Sequence, residues 1–93
     1  MQSMPEVEQT ELLIFPTEFP IKVMGKTQPG FAQEMLAVVL KHAPSYQADA
    51  MEMRASREGN YLSLTFTVNA ESREQLDALY RDFSAHPMVK MAL

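Results

Sequence analysis

The chain has 93 residues, of which 46% are apolar and 22% charged, and its formal net charge is −4 at pH 7. This length supports one small domain with one core, and it leaves too little chain for two domains or a deep active-site cleft. Cysteine is absent, which excludes disulfides, thiol nucleophiles and sulfur-ligated metals and fits a reducing compartment.

Residues 1–11 are polar and acidic, and we predict that they form a disordered tail. They hold Glu6, Glu8 and Glu11, so the remaining body, residues 12–93, has a formal charge of only −1. A nearly neutral body lacks the clustered cations that a nucleic-acid backbone requires. No signal peptide and no apolar run of the roughly 20 residues that span a bilayer are visible. We therefore expect a cytoplasmic protein with neither nucleic-acid nor membrane partners.

The first half of the body predicts a lead-in, a strand and a helix. Leu13 or Phe15 is expected to dock on the core. Residues 19–25 alternate as a strand does, with Lys22 and Met24 on the polar side. Pro29 suits the first position of a helix, which places Thr27 or Gln28 near its N-cap. The apolar stripe of this helix comprises Ala32, Met35, Leu36, Val39, Leu40 and Ala43.

The second half predicts a hairpin, a second helix and a last strand. Apolar and polar residues alternate in 48–57 and in 61–69, which predicts two strands. A two-residue Gly59-Asn60 turn between them would place Ala55 opposite Leu64 and Met53 opposite Phe66. Ser72 and Gln75 have the spacing of a capping box before the second helix. Its apolar stripe comprises Leu76, Leu79, Tyr80 and Phe83. In the last strand Val89, Met91 and Leu93 share one face, and four methionines are expected to fill the core: Met35, Met51, Met53 and Met91.

Right-handed crossovers turn this order of elements into an α+β ferredoxin-like βαββαβ sandwich. Its four-stranded antiparallel sheet has the strand order 4-1-3-2, and both helices cover one face. The other face is open and largely polar. We expect one domain over residues 12–93.

Catalysis, metal binding and RNA binding all lack the residues that they need. An acylphosphatase-like enzyme, the remote alternative, requires an arginine in the first loop and a water-orienting asparagine, whereas the loop has Lys26, and Asn69 lies on the wrong strand. RNA recognition requires aromatic rings on the open face, where only Tyr61 is available because Phe66 points inward. We predict no catalytic residues, no metal site and no cofactor.

Two surfaces remain as binding sites. The first is the loop of Gly25, Lys26, Thr27, Gln28, Pro29 and Gly30, which resembles the loop of amino-acid-binding ACT domains. A carboxylate could bind the free N–H groups of the helix start, although Thr27 replaces the usual aspartate. The second is the open sheet face, where Lys22, Met24, Tyr61 and Thr65 could contact a protein partner.

Several motifs together resemble the YbeD-like family of small bacterial proteins. They are LLIFPTEFPIKVMG (12–25), HAP (42–44), SREGNY with the following S and T-x-NA (56–70), and EQL-x-x-LY (74–80). The resemblance implies a ferredoxin-like, ACT-like fold and brings no activity with it. We therefore expect a non-catalytic, ACT-like regulatory or protein-interaction module, which could self-associate. The alternative is a sensor of a small amino acid or carboxylate that uses the first loop.

Overall fold

Strands and helices follow one another in the predicted order of strand, helix, strand, strand, helix, strand. The computed structural model describes residues 13–93, so the predicted tail of residues 1–11 lies outside the described residues. The elements are β1 (Thr17–Lys26), α1 (Phe31–His42), β2 (Glu52–Ala55), β3 (Tyr61–Ala70), α2 (Arg73–Ala85) and β4 (Met91–Ala92). A short 3-10 helix, Ala48–Ala50, precedes β2. None of the helices in this part of the chain is long and apolar enough to cross a membrane.

The four strands form one antiparallel sheet in the spatial order β2-β3-β1-β4. The central strands β1 and β3 pair along ten residues each, from Thr17 opposite Ala70 to Lys26 opposite Tyr61. Both edge strands are short. The predicted ferredoxin-like α+β fold and its strand order 4-1-3-2 are thereby confirmed.

The core lies between the two helices and the inward side of β1 and β3. Alternate residues of both strands are buried there because strand side chains point to opposite faces in turn. Phe66 is fully buried between two rings, with centroids 5.7 Å from Tyr46 and 6.1 Å from Phe83. Leu13 and Phe15 both pack against this core, as predicted.

Helix α1 begins two residues later than predicted. Its N-cap is Gly30, in the left-handed conformation (φ 84°) that favours glycine, and no side chain caps the helix. Pro29 lies in the turn before the helix, and Phe31 becomes its first residue and is buried. The prediction of a Thr27 or Gln28 cap was wrong, because the turn at Pro29-Gly30 moves the helix start beyond their reach.

The β2–β3 hairpin has a longer loop than predicted. Ser56 and Tyr61 close it, with the Ser56 N–H donating to the Tyr61 carbonyl at 2.9 Å, so four residues rather than two form the loop. Met53 consequently lies opposite Leu64 and Ala55 opposite Leu62. The predicted register was wrong by two residues. An even shift keeps every side chain on its predicted face, which is why alternation alone could not detect it.

Strand β4 has the opposite phase to the prediction. Met91 pairs with Met24 and Ala92 with Val23, so Ala92 faces the core and Met91 faces away from the helices. Of the four methionines assigned to the core, Met35 is fully buried, whereas Met53 is 54% and Met91 48% exposed. The helices cover the centre of the sheet and leave both edge strands partly bare.

Helix α2 begins as predicted. The Ser72 hydroxyl accepts a hydrogen bond from the Gln75 N–H at 3.1 Å, and the Gln75 side chain accepts one from the Glu71 N–H at 2.7 Å. The Gln75 amide also donates to the carbonyl of His42, the last residue of α1. The start of one helix is thereby fixed to the end of the other, which holds the pair in place above the sheet.

Candidate functional site

The open face is the side of the sheet that carries no helix. Two rows of side chains cross all four strands: Leu93–Lys22–Thr65–Glu52 and Met91–Met24–Ser63–Arg54. Beside them Lys26 lies opposite Tyr61. The four partner-contact residues predicted from the sequence, Lys22, Met24, Tyr61 and Thr65, therefore share one surface.

An apolar strip occupies the β1–β4 side of the open face. Met24 and Met91 are cross-strand neighbours, and Leu93 stands two residues from Met91 on the same side. Leu93 is 60% exposed. On the other side of Met24, a groove of about 220 Å³ runs between Met24 and Tyr61. Exposed apolar side chains grouped in this way typically mark a contact surface.

Sequence reasoning missed Met91 and Leu93 as members of this strip. It assigned them to the core face because Val89, Met91 and Leu93 alternate as a strand does. Strand β4 itself contributes only two residues, Met91 and Ala92, to the pairing with β1. So short a strand does not show from its sequence which of its two sets of side chains faces the core. The C-terminal Leu93 exchanges two backbone hydrogen bonds with Lys22, at 3.0 and 2.8 Å, and this pairing sets the phase.

Cations border the apolar strip. Lys22, Lys26 and Arg54 all lie on the open face, and none of them makes an ion pair within residues 13–93. A polar groove of about 260 Å³ joins Lys22 and Arg54 to Glu52. The open face thus carries three cations beside Glu52, and none of the three is in an ion pair among the described residues.

The ion pairs between described residues lie on the helix side instead. Asp82 of α2 accepts from the His42 ring at 2.6 Å and pairs with Lys41 at 3.4 Å. The hydrogen bond with His42, followed by the charge of Lys41, holds the pKa of Asp82 below its usual value. His86 approaches Glu34 at 3.2 Å in the same way. Both histidines therefore join one helix to a neighbouring element. No cluster of three metal-ligating side chains occurs among residues 13–93.

The loop predicted as a ligand cradle is only partly available. The Thr27 hydroxyl donates to the Gly59 carbonyl at 2.6 Å, and the Thr27 N–H donates to the Asn60 carbonyl at 2.9 Å. Gly25 is buried against Phe31. Gln28 and Pro29 are exposed, and Gly30 caps the helix. These contacts bind the loop to the β2–β3 hairpin.

A cleft of about 530 Å³ nevertheless opens where the loop meets the hairpin. Lys26 and Thr27 line one side, and Gly59, Asn60 and Tyr61 line the other. The hairpin residues were assigned only to a turn in the sequence. The antiparallel pairing of β1 with β3 is what brings them to the loop, since it places the end of β1 beside the start of β3.

The two residues considered for an acylphosphatase-like site lie far apart. Lys26 pairs with Tyr61 at one end of β3, and Asn69 pairs with Glu18 at the other end. About eight residues of strand separate Tyr61 from Asn69, which corresponds to roughly 26 Å. The Lys26 ammonium and the Asn69 amide therefore cannot act on one phosphate group.

Comparison with known proteins agrees with this fold. Residues 10–93 match the family described as "Protein of unknown function (DUF493)". The chain belongs to this family. Relatives called UPF0250 proteins include one from Bordetella pertussis, 53% identical over 93 residues, and one from Leptothrix cholodnii, 50% identical over 93 residues. Both matches cover 100% of each chain. The YbeD-like resemblance of the sequence motifs is thereby confirmed.

The fold of this DUF493 chain also has a solved counterpart. The solution structure of protein HP0495 from H. pylori superimposes with a TM-score of 0.72, covering 100% of this chain and 98% of the other. The two sequences are only 13% identical. The fold is therefore shared, whereas the side chains of the open face have to be interpreted from this chain alone.

Proposed function

We propose that this DUF493 protein is a non-catalytic, ACT-like interaction module of the cytoplasm that binds a protein partner through its open sheet face. The observation that carries the proposal is the strip of Met24, Met91 and Leu93 beside cations that the described residues leave without an ion pair. Apolar side chains contribute binding energy when a partner removes them from water. A surface of this kind suits contact with another protein better than it suits catalysis.

The charges on the face indicate the chemistry of the partner. Lys22, Lys26 and Arg54 would be neutralised by carboxylates, so the partner should combine apolar side chains with aspartate or glutamate. Complementary charges of this kind steer encounter and select the partner more than they add affinity.

Met24→Asp is expected to weaken partner binding at least about tenfold, because it places a charge in the centre of the apolar strip. Ala37→Asp is the matched control, since it adds the same charge to an exposed position of α1. The partner would be captured from a lysate of the source bacterium with the wild-type chain, purified, and titrated against each variant. Circular dichroism would verify that both variants are folded.

Lys22→Glu tests the charge of the same face. It should weaken binding, and raising the salt concentration should reduce the difference between the variant and the wild type. Equal affinity of the wild-type chain, Met24→Asp and Lys22→Glu would contradict the proposal and remove the open face as the binding surface.

The cleft at Lys26 supports a second candidate function, the sensing of a small carboxylate. Lys26 supplies positive charge, and Tyr61 supplies an exposed ring beside it. A ligand would raise the melting temperature by an amount that grows with its concentration relative to the dissociation constant. Amino acids, nucleotides and simple carboxylates would be screened, and Lys26→Ala should abolish any shift. No shift with any of these compounds would exclude this candidate for them.

A further inference from the structure

A histidine holds the turn between α2 and β4. His86 follows the last residue of α2, and its carbonyl accepts a hydrogen bond from the Val89 N–H at 3.1 Å, which closes a turn with Pro87 at its second position. The His86 ring belongs to the same turn, because its Nδ1 accepts from the Met88 N–H at 3.1 Å. Asparagine and aspartate side chains make the same contact with the N–H two residues on. The ring thus fixes the backbone that leads into β4.

The other nitrogen of this ring contacts α1. His86 Nε2 lies 3.2 Å from Oε1 of Glu34. The two contacts assign the tautomer. The Met88 N–H can only donate, so Nδ1 has to be an unprotonated acceptor, and the ring proton then lies on Nε2 and points to Glu34. The neutral ring therefore satisfies both neighbours. When the ring is protonated, both nitrogens carry a proton and Nδ1 can no longer accept from Met88.

His42, the other histidine of the chain, has a different arrangement. Within residues 13–93 its ring makes one hydrogen bond, between Nε2 and Oδ2 of Asp82 at 2.6 Å. Protonation keeps this contact and strengthens it, since a hydrogen bond between two charged groups is stronger than one with a neutral donor. The two histidines therefore differ in their response to acid: protonation removes a backbone hydrogen bond from the His86 ring and removes none from the His42 ring.

Strand β4 is short and follows this turn directly. It consists of Met91 and Ala92, and on either side of them the N–H groups of Lys90 and Leu93 donate to carbonyls of β1, both at 2.8 Å. The side chain of Met88 packs partly against the core, so the segment has other anchors than the His86 ring. Two of the three residues of the apolar strip, Met91 and Leu93, are carried by this segment. Whatever loosens the turn therefore acts on the strip.

We propose that His86 is a positioning residue for the apolar strip and acts as a proton-sensitive latch on β4. The neutral ring holds the Met88 N–H and keeps β4 against β1. Protonation releases this N–H and raises the fraction of chains in which Met91 and Leu93 are detached from β1. Histidine side chains in general change charge between about pH 5 and 8. Partner binding should weaken as the attached fraction falls, and this consequence rests on the function proposed above, whereas the latch itself does not.

The charged groups near His86 explain why β4 rather than α1 would be released. Glu34 and Lys41 line the groove beside the ring from α1, and Asp82 lines it from α2. Lys41 and Asp82 pair with each other at 3.4 Å, and Glu34 is the charge in direct contact with the ring. The turn adds no charge until Lys90, which is exposed. Protonation thus keeps the contact with Glu34 and gives up the contact with the turn.

Nuclear magnetic resonance of the full chain tests the latch without a partner. Long-range correlations between ring protons and nitrogens should show the His86 proton on Nε2 at about pH 7.5, where histidine is mostly neutral. Hydrogen exchange would then be compared at about pH 7.5 and pH 5 as protection factors, which remove the intrinsic effect of pH on exchange. The Lys90 and Leu93 amides should lose protection about fivefold in acid, the effect expected from one hydrogen bond. The amides between β1 and β3 should keep theirs.

Two substitutions separate the ring proton from the rest of the side chain. His86→Asn keeps an oxygen that can accept from the Met88 N–H and does not titrate, so the protection of β4 should match that of the wild type near pH 7.5 under both conditions. His86→Ala has no acceptor, so protection should be low under both. His42→Asn is the matched control, because it removes the other histidine and should leave the pH dependence of β4 unchanged.

Three results would each overturn the latch: a neutral His86 ring with its proton on Nδ1, equal protection of β4 in the wild type at both pH values, or an acid-induced loss that persists in His86→Asn. The partner titrations with Met24→Asp give a separate answer. Weaker binding of Met24→Asp together with exchange that does not depend on pH would support the proposed function and overturn the latch. Unchanged binding of Met24→Asp together with acid-sensitive exchange would do the reverse.

Discussion

Phe66→Ala is expected to lower the free energy of unfolding by about 3–5 kcal/mol. Phe66 lies at the centre of the core with none of its surface exposed. Its ring meets Tyr46 edge-on at 65° and lies nearly parallel to Phe83 at 19°. Removing it eliminates both ring contacts and leaves a cavity that the sheet cannot close, because β3 is held on both sides by other strands.

Urea denaturation would measure this loss, with Thr67→Ala as the matched control. Thr67 is the next residue of β3 and is exposed on the open face, so its replacement should change the stability by no more than about 0.5 kcal/mol. Both variants would be compared at the same protein concentration, so that any self-association affects the two measurements equally. A similar loss in the two variants would contradict the assignment of core and open faces.

The central strands could be predicted from sequence because their alternation is long. Val23 and Phe66 are buried, and Lys22 and Thr67 are exposed, as a period of two requires. Ten paired residues leave no freedom to exchange the two faces, since the exchange would expose every apolar side chain. The strand order in the sheet could be predicted because crossover connections are right-handed. Once the order of strands and helices along the chain is known, this rule places each strand in the sheet.

The edges of the sheet could not be predicted in the same way. Only Met91 and Ala92 form β4, and two residues hold too little alternation to define a core face. The hairpin loop was given two residues instead of four, because a Gly-Asn pair suits a tight turn and both registers keep the apolar side chains together. Phe31 was not among the predicted core residues, because the predicted apolar stripe of the first helix began at Ala32.

The difference between long central strands and short edge strands also decides how much of the candidate site could be predicted from the sequence. The central part of the open face, with Lys22 and Met24 on β1 and Thr65 on β3, was predicted because it depends on the long strands. Met91 and Leu93 depend on β4. Thr27 was predicted near the helix N-cap and in the ligand-binding loop, yet its side chain donates to a carbonyl 32 positions along the chain. A long-range contact of that kind leaves no local sequence signal.

Gly25→Ala is expected to lower the free energy of unfolding by about 3 kcal/mol, because the site has no room for another carbon. A β-carbon built on Gly25 would lie 2.6 Å from Cε1 of Phe31 and would collide with the carbonyl oxygen of Met88. The Phe31 ring is buried and cannot swing away. The Met88 segment is held by a hydrogen bond from its N–H to Nδ1 of His86 at 3.1 Å.

Gly30→Ala and Gly59→Ala are the controls for this substitution. A β-carbon at either position meets nothing within 4 Å, but both residues have positive φ, 84° and 80°. Their cost, roughly 1 kcal/mol, comes from the backbone conformation alone. Denaturation midpoints should therefore fall furthest for Gly25→Ala. Equal losses at all three positions would show that Phe31 does not pack on β1 as described. A larger loss for Gly25→Ala would give the glycine of the KVMG motif a structural role that involves no ligand, because a residue without a side chain admits the core ring of Phe31 and the approach of β4.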